Sequence, residues 1–226
     1  MSSTNDVALA LARGGAGPTL VVTDFQTAGR GRRGAAWTAP AGSSVLCSLL
    51  LRAAPRAVHE LAILTGVGAA KGLQRLAPVR IKWPNDLMLH DRKVGGILVE
   101  TTPDAVVIGV GINCAVPADA FPEELSARAG SLDTLIGRVV RREEVLRALV
   151  TGLTEALAAV EAGGIIKVLY DWNTLNWLRQ RPVRVSGPFG VVDGDGLFLD
   201  GRTLKLHIFK DHGVVNMPLS STVEAR

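Results

Sequence analysis

The apolar pattern of this chain changes period near Arg181-Pro182, and that change limits the architectures open to it. Upstream, Val145, Leu149, Leu153, Leu157 and Val160 recur at helical spacing across Arg142 to Ala162. His59 to Leu76 carries a similar stripe, and a further helix is expected over Ile165 to Leu178. A short helix over Val7 to Arg13 follows the capping residues Ser2 to Asp6 and stops at Gly14-Gly15. Strand-like runs cover Leu20 to Phe25, Val45 to Leu51, Val79 to Trp83, Ile97 to Glu100 and Val106 to Ile112. Val45 to Leu51 is continuously apolar, which suits a central strand. Downstream of Pro182, Val183–Val185, Gly190–Val192, Leu197–Leu199 and Leu204–Phe209 alternate with Asp193-Gly194-Asp195-Gly196 and Asp200-Gly201. Asp-Gly between alternating runs predicts hairpins. The expectation is an α/β (α+β) fold: a mixed-sheet domain over residues 1–178 and a small all-β domain over 179–226.

Composition removes several function classes. Hydrophobic residues at 47% and charged residues at 20% describe an ordinary globular chain. The net charge of +4 is modest, and Arg30, Arg32 and Arg33 concentrate it. With only ten aromatics and no dispersed basic stripe, the chain suits a small acidic ligand and not DNA or RNA. Cys47 and Cys114 sit in apolar runs without metal-ligand spacing, as buried thiols of a reducing compartment do. No positively charged leader or run of about 18 apolar residues is present. A cytoplasmic protein without a membrane span is expected.

Two basic, glycine-rich segments stand at the ends of strand-like runs. The first is Gln26-Thr27-Ala28-Gly29-Arg30-Gly31-Arg32-Arg33-Gly34, and the second runs Lys82-Trp83-Pro84-Asn85-Asp86 to Arg92-Lys93-Val94-Gly95-Gly96. The first matches G-x-G-x-x-G, but Ala35 to Pro40 does not open a helix and no acidic residue lies about 20 positions on, so a dinucleotide fingerprint is excluded. Three arginines between three glycines repel one another until an anion neutralises them. Alternation over Val79 to Trp83 puts Lys82 on the polar face. Asn85-Asp86 predicts a turn that fixes a loop or reaches a ribose or phosphate. Gly109-Val110-Gly111-Ile112-Asn113 adds glycines suited to close backbone approach, with Asn113 at a strand end.

In this order, these pieces resemble the catalytic domain of the biotin protein ligases. Ser3-Thr4-Asn5, the Gly29–Gly34 arginine segment, Trp37, Lys82–Asp86, Arg92–Leu98, Gly109–Asn113 and Gly130-Ser131-Leu132 carry the resemblance, over about residues 2–178. It implies a biotin/lipoate ligase-type domain followed by an SH3-like barrel. It also implies joining of biotin and ATP, with Mg²⁺, into biotinyl-5′-AMP and pyrophosphate, then transfer to a lysine of a biotin carboxyl carrier protein.

On the same resemblance, Ser3, Thr4, Asn5, Gln26, Gly29, Arg30, Gly31, Arg32 and Lys93 take biotin. Arg32, Arg33, Trp37, Lys82, Asn85, Lys93 and Asn113 take ATP. Lys93, Arg30 and Arg32 are the expected catalytic cations. No helix-turn-helix precedes Ser3, so no DNA binding is expected, and the state is monomer or homodimer. The alternatives are a lipoate or octanoate ligase or transferase of the same fold, and a catalytically weakened biotin-binding relative.

Overall fold

The computed structural model describes residues 1–52, 58–201, 205–210 and 213–225. Its first part is built on six strands: β1 (Thr19–Thr23), β2 (Ser44–Arg52), β3 (Arg80–Lys82), β4 (Asp86–Leu89), β5 (Arg92–Thr102) and β6 (Ala105–Asn113). They form one sheet in the order β1-β2-β6-β5-β4-β3, antiparallel at every named pair. The two parallel pairings are isolated bridges, Ile81 to Asn176 and Lys93 to Ala129. The run over Val45 to Leu51 is a central strand, flanked by β1 and β6.

Strand alternation divides the two faces of this sheet. Val45 and Cys47 of β2, with Val106, Ile108, Val110 and Ile112 of β6, join the main core. That core is covered by helices α2 (Val58–Leu73), α3 (Arg142–Glu161) and α4 (Ile165–Leu175). Leu50 and Val107 face the other way and pack with Ala8 and Ala12 of helix α1 (Thr4–Arg13). Ser48, Gly109 and Gly111 share the α1 face by the same alternation. This is the face that carries the site.

Helix α1 starts three residues earlier than its apolar stripe suggests. Ser3 is its N-cap, with Oγ accepting from the Asn5 N–H at 3.3 Å. Thr4 and Asn5 therefore lie in the first turn, and both are buried. Helix α4 ends at Leu175, before the expected Leu178, because Asn176 leaves helical geometry. Its side chain donates to the Leu197 carbonyl and accepts from the Leu178 N–H, while the Trp177 N–H bonds to Ile81.

Beyond Pro182 lie two three-stranded antiparallel sheets. One holds β7 (Val183–Gly187), β8 (Gly190–Gly194) and β12 (Thr222–Ala225); the other holds β9 (Leu197–Asp200), β10 (Lys205–Lys210) and β11 (Gly213–Pro218). Val183, Val185, Leu197, Leu199, Leu206, Ile208, Met217 and Val223 form their interior, continuous with the main core. The Asp193–Gly196 segment is not the hairpin turn its Asp-Gly pairs suggest. It carries the chain from β8 in one sheet to β9 in the other, and the tight connection of β7 to β8 is at Pro188-Phe189. Leu204, the expected start of a strand, lies outside the described residues.

Among the described residues no helix is long and apolar enough to cross a membrane.

Candidate active site

Neighbouring glycines on adjacent strands make the floor of the site. Gly109 is paired with Ser48 across β6 and β2, and Gly111 with Gly96 across β6 and β5. A Cβ on Gly109 would overlap the Asn5 carboxamide. A Cβ on Gly111 would stand 2.7 Å from the indole of Trp37, and one on Gly96 would stand 3.3 Å from it. The close approach that the glycines of this strand allow is made by the protein's own Asn5 and Trp37.

The Asn5 corner is a tight polar network. Ser48 Oγ lies 2.5 Å from Asn5 Oδ1 and 2.7 Å from Thr4 Oγ1, so its single proton serves one acceptor at a time. Gln26 Oε1 accepts from the Thr4 N–H at 2.7 Å and from its hydroxyl at 3.1 Å. Asn5 Nδ2 donates to Glu100 at 2.6 Å. Ser48 had no place among the expected site residues. Its one sequence signal is that it is the only hydroxyl inside Val45 to Leu51.

The arginine segment is an organised hairpin. Trp37 N–H bonds to the Gly29 carbonyl and Gly31 N–H to the Ala35 carbonyl, at 2.9 and 2.7 Å. Its three guanidinium groups have different partners. Arg30 bonds Asp6 at 2.6 Å and stands 3.6 Å from Glu100. That hydrogen bond holds the Asp6 carboxyl below its ordinary range and raises Arg30. Arg32 is half-buried and reaches Asn85 Oδ1 at 3.4 Å. Its pKa is lowered, first by desolvation and then by the charge of Arg33, with Asp86 opposing. Arg33 turns away, with φ 55°, and bonds the Thr222 hydroxyl at 2.7 Å.

Lys93 is placed by an irregularity in the sheet. The register between β4 and β5 shifts at Leu87/Met88, a bulge that re-aims the strand. Its N–H and carbonyl are pinned by Arg128 and Gly130, at 2.7 and 2.9 Å. Its ammonium pairs with Asp86 at 2.6 Å and lies 6.0 Å from the centre of the Trp37 ring.

One cavity of about 230 Å³ joins these corners. Ser3, Thr4, Asn5, Gln26, Arg30, Gly31, Arg32, Trp37, Asn85 and Lys93 line it, with Asp86, Gly96 and Gly109 also present. Four other candidates stand off its wall. Gly29 is buried beneath the hairpin against the Trp37 backbone. Arg33 is turned to Thr222. Lys82 lies 5.5 Å over the Trp177 ring. Asn113 donates to the Gly130 carbonyl at 3.1 Å, supporting the residue that pins Lys93.

A polar cavity set on the α1 face of an antiparallel sheet, rimmed by a lysine and an arginine hairpin, belongs to a known architecture: the fold is that of the biotin protein ligases. The structure of "Biotin protein ligase from Aquifex aeolicus in complex with biotin and ATP" matches it with a TM-score of 0.85 at 24% identity, covering 100% of this chain and 96% of that one. The chain belongs to the biotin/lipoate A/B protein ligase family, whose model matches residues 1–114. A biotin--[acetyl-CoA-carboxylase] ligase of Paracoccus denitrificans is 34% identical over 214 residues, 87% of this chain and 85% of that one. The bifunctional ligase/repressor BirA of Escherichia coli is 37% identical over 174 residues, 73% of this chain and 53% of its own length. The chain thus spans about half the length of the first curated relatives it matches.

Proposed function

We propose that this protein is an ATP-dependent biotin protein ligase. The observation that carries the reading is one cavity shared by two kinds of chemistry. One is the neutral hydrogen-bonding wall of Ser3, Thr4, Asn5 and Gln26, backed from beneath by the buried Ser48 and suited to a polar uncharged head group. The other is the cation cluster of Arg32 and Lys93 beside Asn85, suited to a carboxylate and a phosphate together. The similarity to the Paracoccus ligase along most of both chains supports the same reading.

In the first step a carboxylate oxygen of biotin attacks the α-phosphorus of ATP. The bond to the β-phosphate oxygen breaks, and pyrophosphate leaves with its electron pair. Both reactants are anionic, so positive charge aimed at them lowers the barrier, and holding them together supplies much of the rest. Lys93 and Arg32 take that role, with Trp37 and Asn85 on the nucleotide side. Arg30 takes a supporting one, since Asp6 and Glu100 already occupy it. In the second step the neutral amine of a carrier lysine attacks the acyl carbon, the bond from that carbon to the phosphate oxygen breaks, AMP departs with its electron pair, and the nitrogen gives up a proton.

No group of three His, Cys, Asp or Glu suited to a metal occurs among the described residues. On the family resemblance, Mg²⁺ would enter with ATP, held chiefly by its phosphates. We read residues 1–178 as the unit that binds biotin and ATP and 179–226 as the small β unit attached to it. The carrier is a biotin carboxyl carrier protein, and the setting is the cytoplasm, where Cys47 and Cys114 stay reduced thiols.

Biotin-dependent ATP–pyrophosphate exchange tests this, with lipoate and octanoate in parallel. Exchange with biotin alone is the expected result. Exchange with lipoate or octanoate alone would move the protein to the other branch of its family, and silence with all three would remove the catalytic reading.

A further inference from the structure

The last described strand touches both segments that supply the cations. Thr222, the first residue of β12, accepts a hydrogen bond from Arg33 Nη2 at 2.7 Å across 189 positions of sequence. The residue before it, Ser221, is buried, and its carbonyl accepts from the Trp83 indole N–H at 3.1 Å. Arg33 neighbours Arg32 in the hairpin, and Trp83 precedes Pro84-Asn85 in the segment that Arg32 reaches. Two adjacent residues therefore clip together the two halves of the phosphate-facing cluster.

The hairpin needs such a fastening. Desolvation disfavours the charge on Arg32, and repulsion from the neighbouring Arg33 adds to it. Within the hairpin, the backbone bonds from Gly31 to Ala35 and from Ala35 to Arg32 close the turn without holding either guanidinium. Arg33 has φ 55°, a left-handed conformation that a non-glycine residue keeps when its surroundings hold it. The bond to Thr222 is a hold of that kind, and it draws one positive charge away from the other.

We propose that Ser221-Thr222 is a positioning clip, which fixes the arginine hairpin against the Trp83–Asn85 segment and so sets Arg32 for the nucleotide phosphate. Thr222 touches no substrate and acts through Arg33. The link to the nucleotide rests on the ligase reading, whereas the link to hairpin order does not.

Two readouts on the full chain separate them. The first is limited trypsinolysis under native conditions, following cleavage after Arg30, Arg32 or Arg33 by mass spectrometry. Thr222→Val removes the acceptor at nearly constant volume, and Thr222→Ser restores it. Losing one hydrogen bond to a charged group raises hairpin cleavage about five- to twentyfold in Thr222→Val. Thr222→Ser stays within about twofold of the parent, and urea midpoints report global stability. The second is pyrophosphate exchange, where Thr222→Val raises the ATP KM by a similar factor and the biotin KM by a smaller one. Cleavage unchanged in Thr222→Val, or raised equally in Thr222→Ser, overturns the clip. Faster cleavage with no exchange even in the parent retains the clip and removes the ligase reading. Faster cleavage with an unchanged ATP KM in an active enzyme overturns the positioning role.

Discussion

The Lys93 ammonium is held by Asp86 at 2.6 Å, so the cation expected to meet substrate is already paired with a carboxylate of the same cavity. On the ligase reading, anionic substrates would compete with Asp86 for this charge, and the pair would keep Lys93 oriented before they arrive. Lys93 and Asp86 keep 37% and 25% of their side chains open to solvent, so the pair contributes little to stability. Its weight falls on the reaction.

Lys93→Ala is therefore expected to lower biotin-dependent pyrophosphate exchange by at least about 100-fold. Its unfolding free energy should stay within about 1 kcal/mol of the parent. Exchange at parental rate in a folded Lys93→Ala would show that the cation does not act on the reacting groups.

Ser48→Ala leaves Asn5 Oδ1 and Thr4 Oγ1 without their shared partner in a buried setting. Loss of such a bond costs about 1–2 kcal/mol. Biotin affinity, measured by calorimetry, should fall roughly tenfold while ATP affinity is retained. An equal fall in both would place the serine in general packing.

Gly111→Ala puts a methyl group against the Trp37 ring at a backbone position that cannot retreat within the sheet. Overpacking of this kind costs about 1–3 kcal/mol, and displacement of the ring relieves part of it. The expected outcome is a lower urea midpoint together with altered Trp37 fluorescence, isolated by comparison with Trp37→Phe. A midpoint and spectrum identical to the parent would show that the indole is not seated on Gly111.

Burial pushes the Cys47 thiol up to about 12 and the Cys114 thiol up to about 11, from an ordinary 9.0. Both folded values exceed the unfolded one, so above pH 9 the unfolded chain sheds protons that the native chain keeps. Stability is then fully present below pH 9 and declines from there toward pH 11–12, by up to about 1.4 kcal/mol per pH unit for each thiol. Urea unfolding at pH 8, 9 and 10 checks this against a Cys47→Ala/Cys114→Ala variant, whose curve should fall less steeply. Parallel curves would show that the thiols do not carry the dependence.

Much of this structure is legible in the sequence because the long elements obey one period each. Val145 to Val160 and Val45 to Leu51 are such elements. Asn85-Asp86 reads as a turn, and pairing with Arg80–Lys82 on one side and Arg92–Gly96 on the other makes Asp86–Leu89 a strand. Thr222–Ala225 is too short to show an alternation. Among the cavity-lining residues, Arg30, Arg32 and Lys93 stand out in their basic, glycine-rich segments, Ser3, Thr4, Asn5 and Trp37 are expected only on the family resemblance, and Leu46 and Cys47 carry no signal beyond an apolar strand. What governs Arg30, Arg33, Lys82 and Asn113 is long-range: Asp6, Thr222, Trp177 and Gly130 are distant in sequence, and no local pattern announces them.

The cavity is lined wholly by residues from Ser3 to Gly111, whereas Ser221 and Thr222 come roughly 110 residues later. At a synthesis rate of about 5–20 residues per second, the ribosome delivers the ligand pocket on the order of ten seconds before the residues that fasten its rim. On the clip reading, the arginine hairpin of a nascent chain waits unfastened over those seconds, until residues 221 and 222 emerge to hold it.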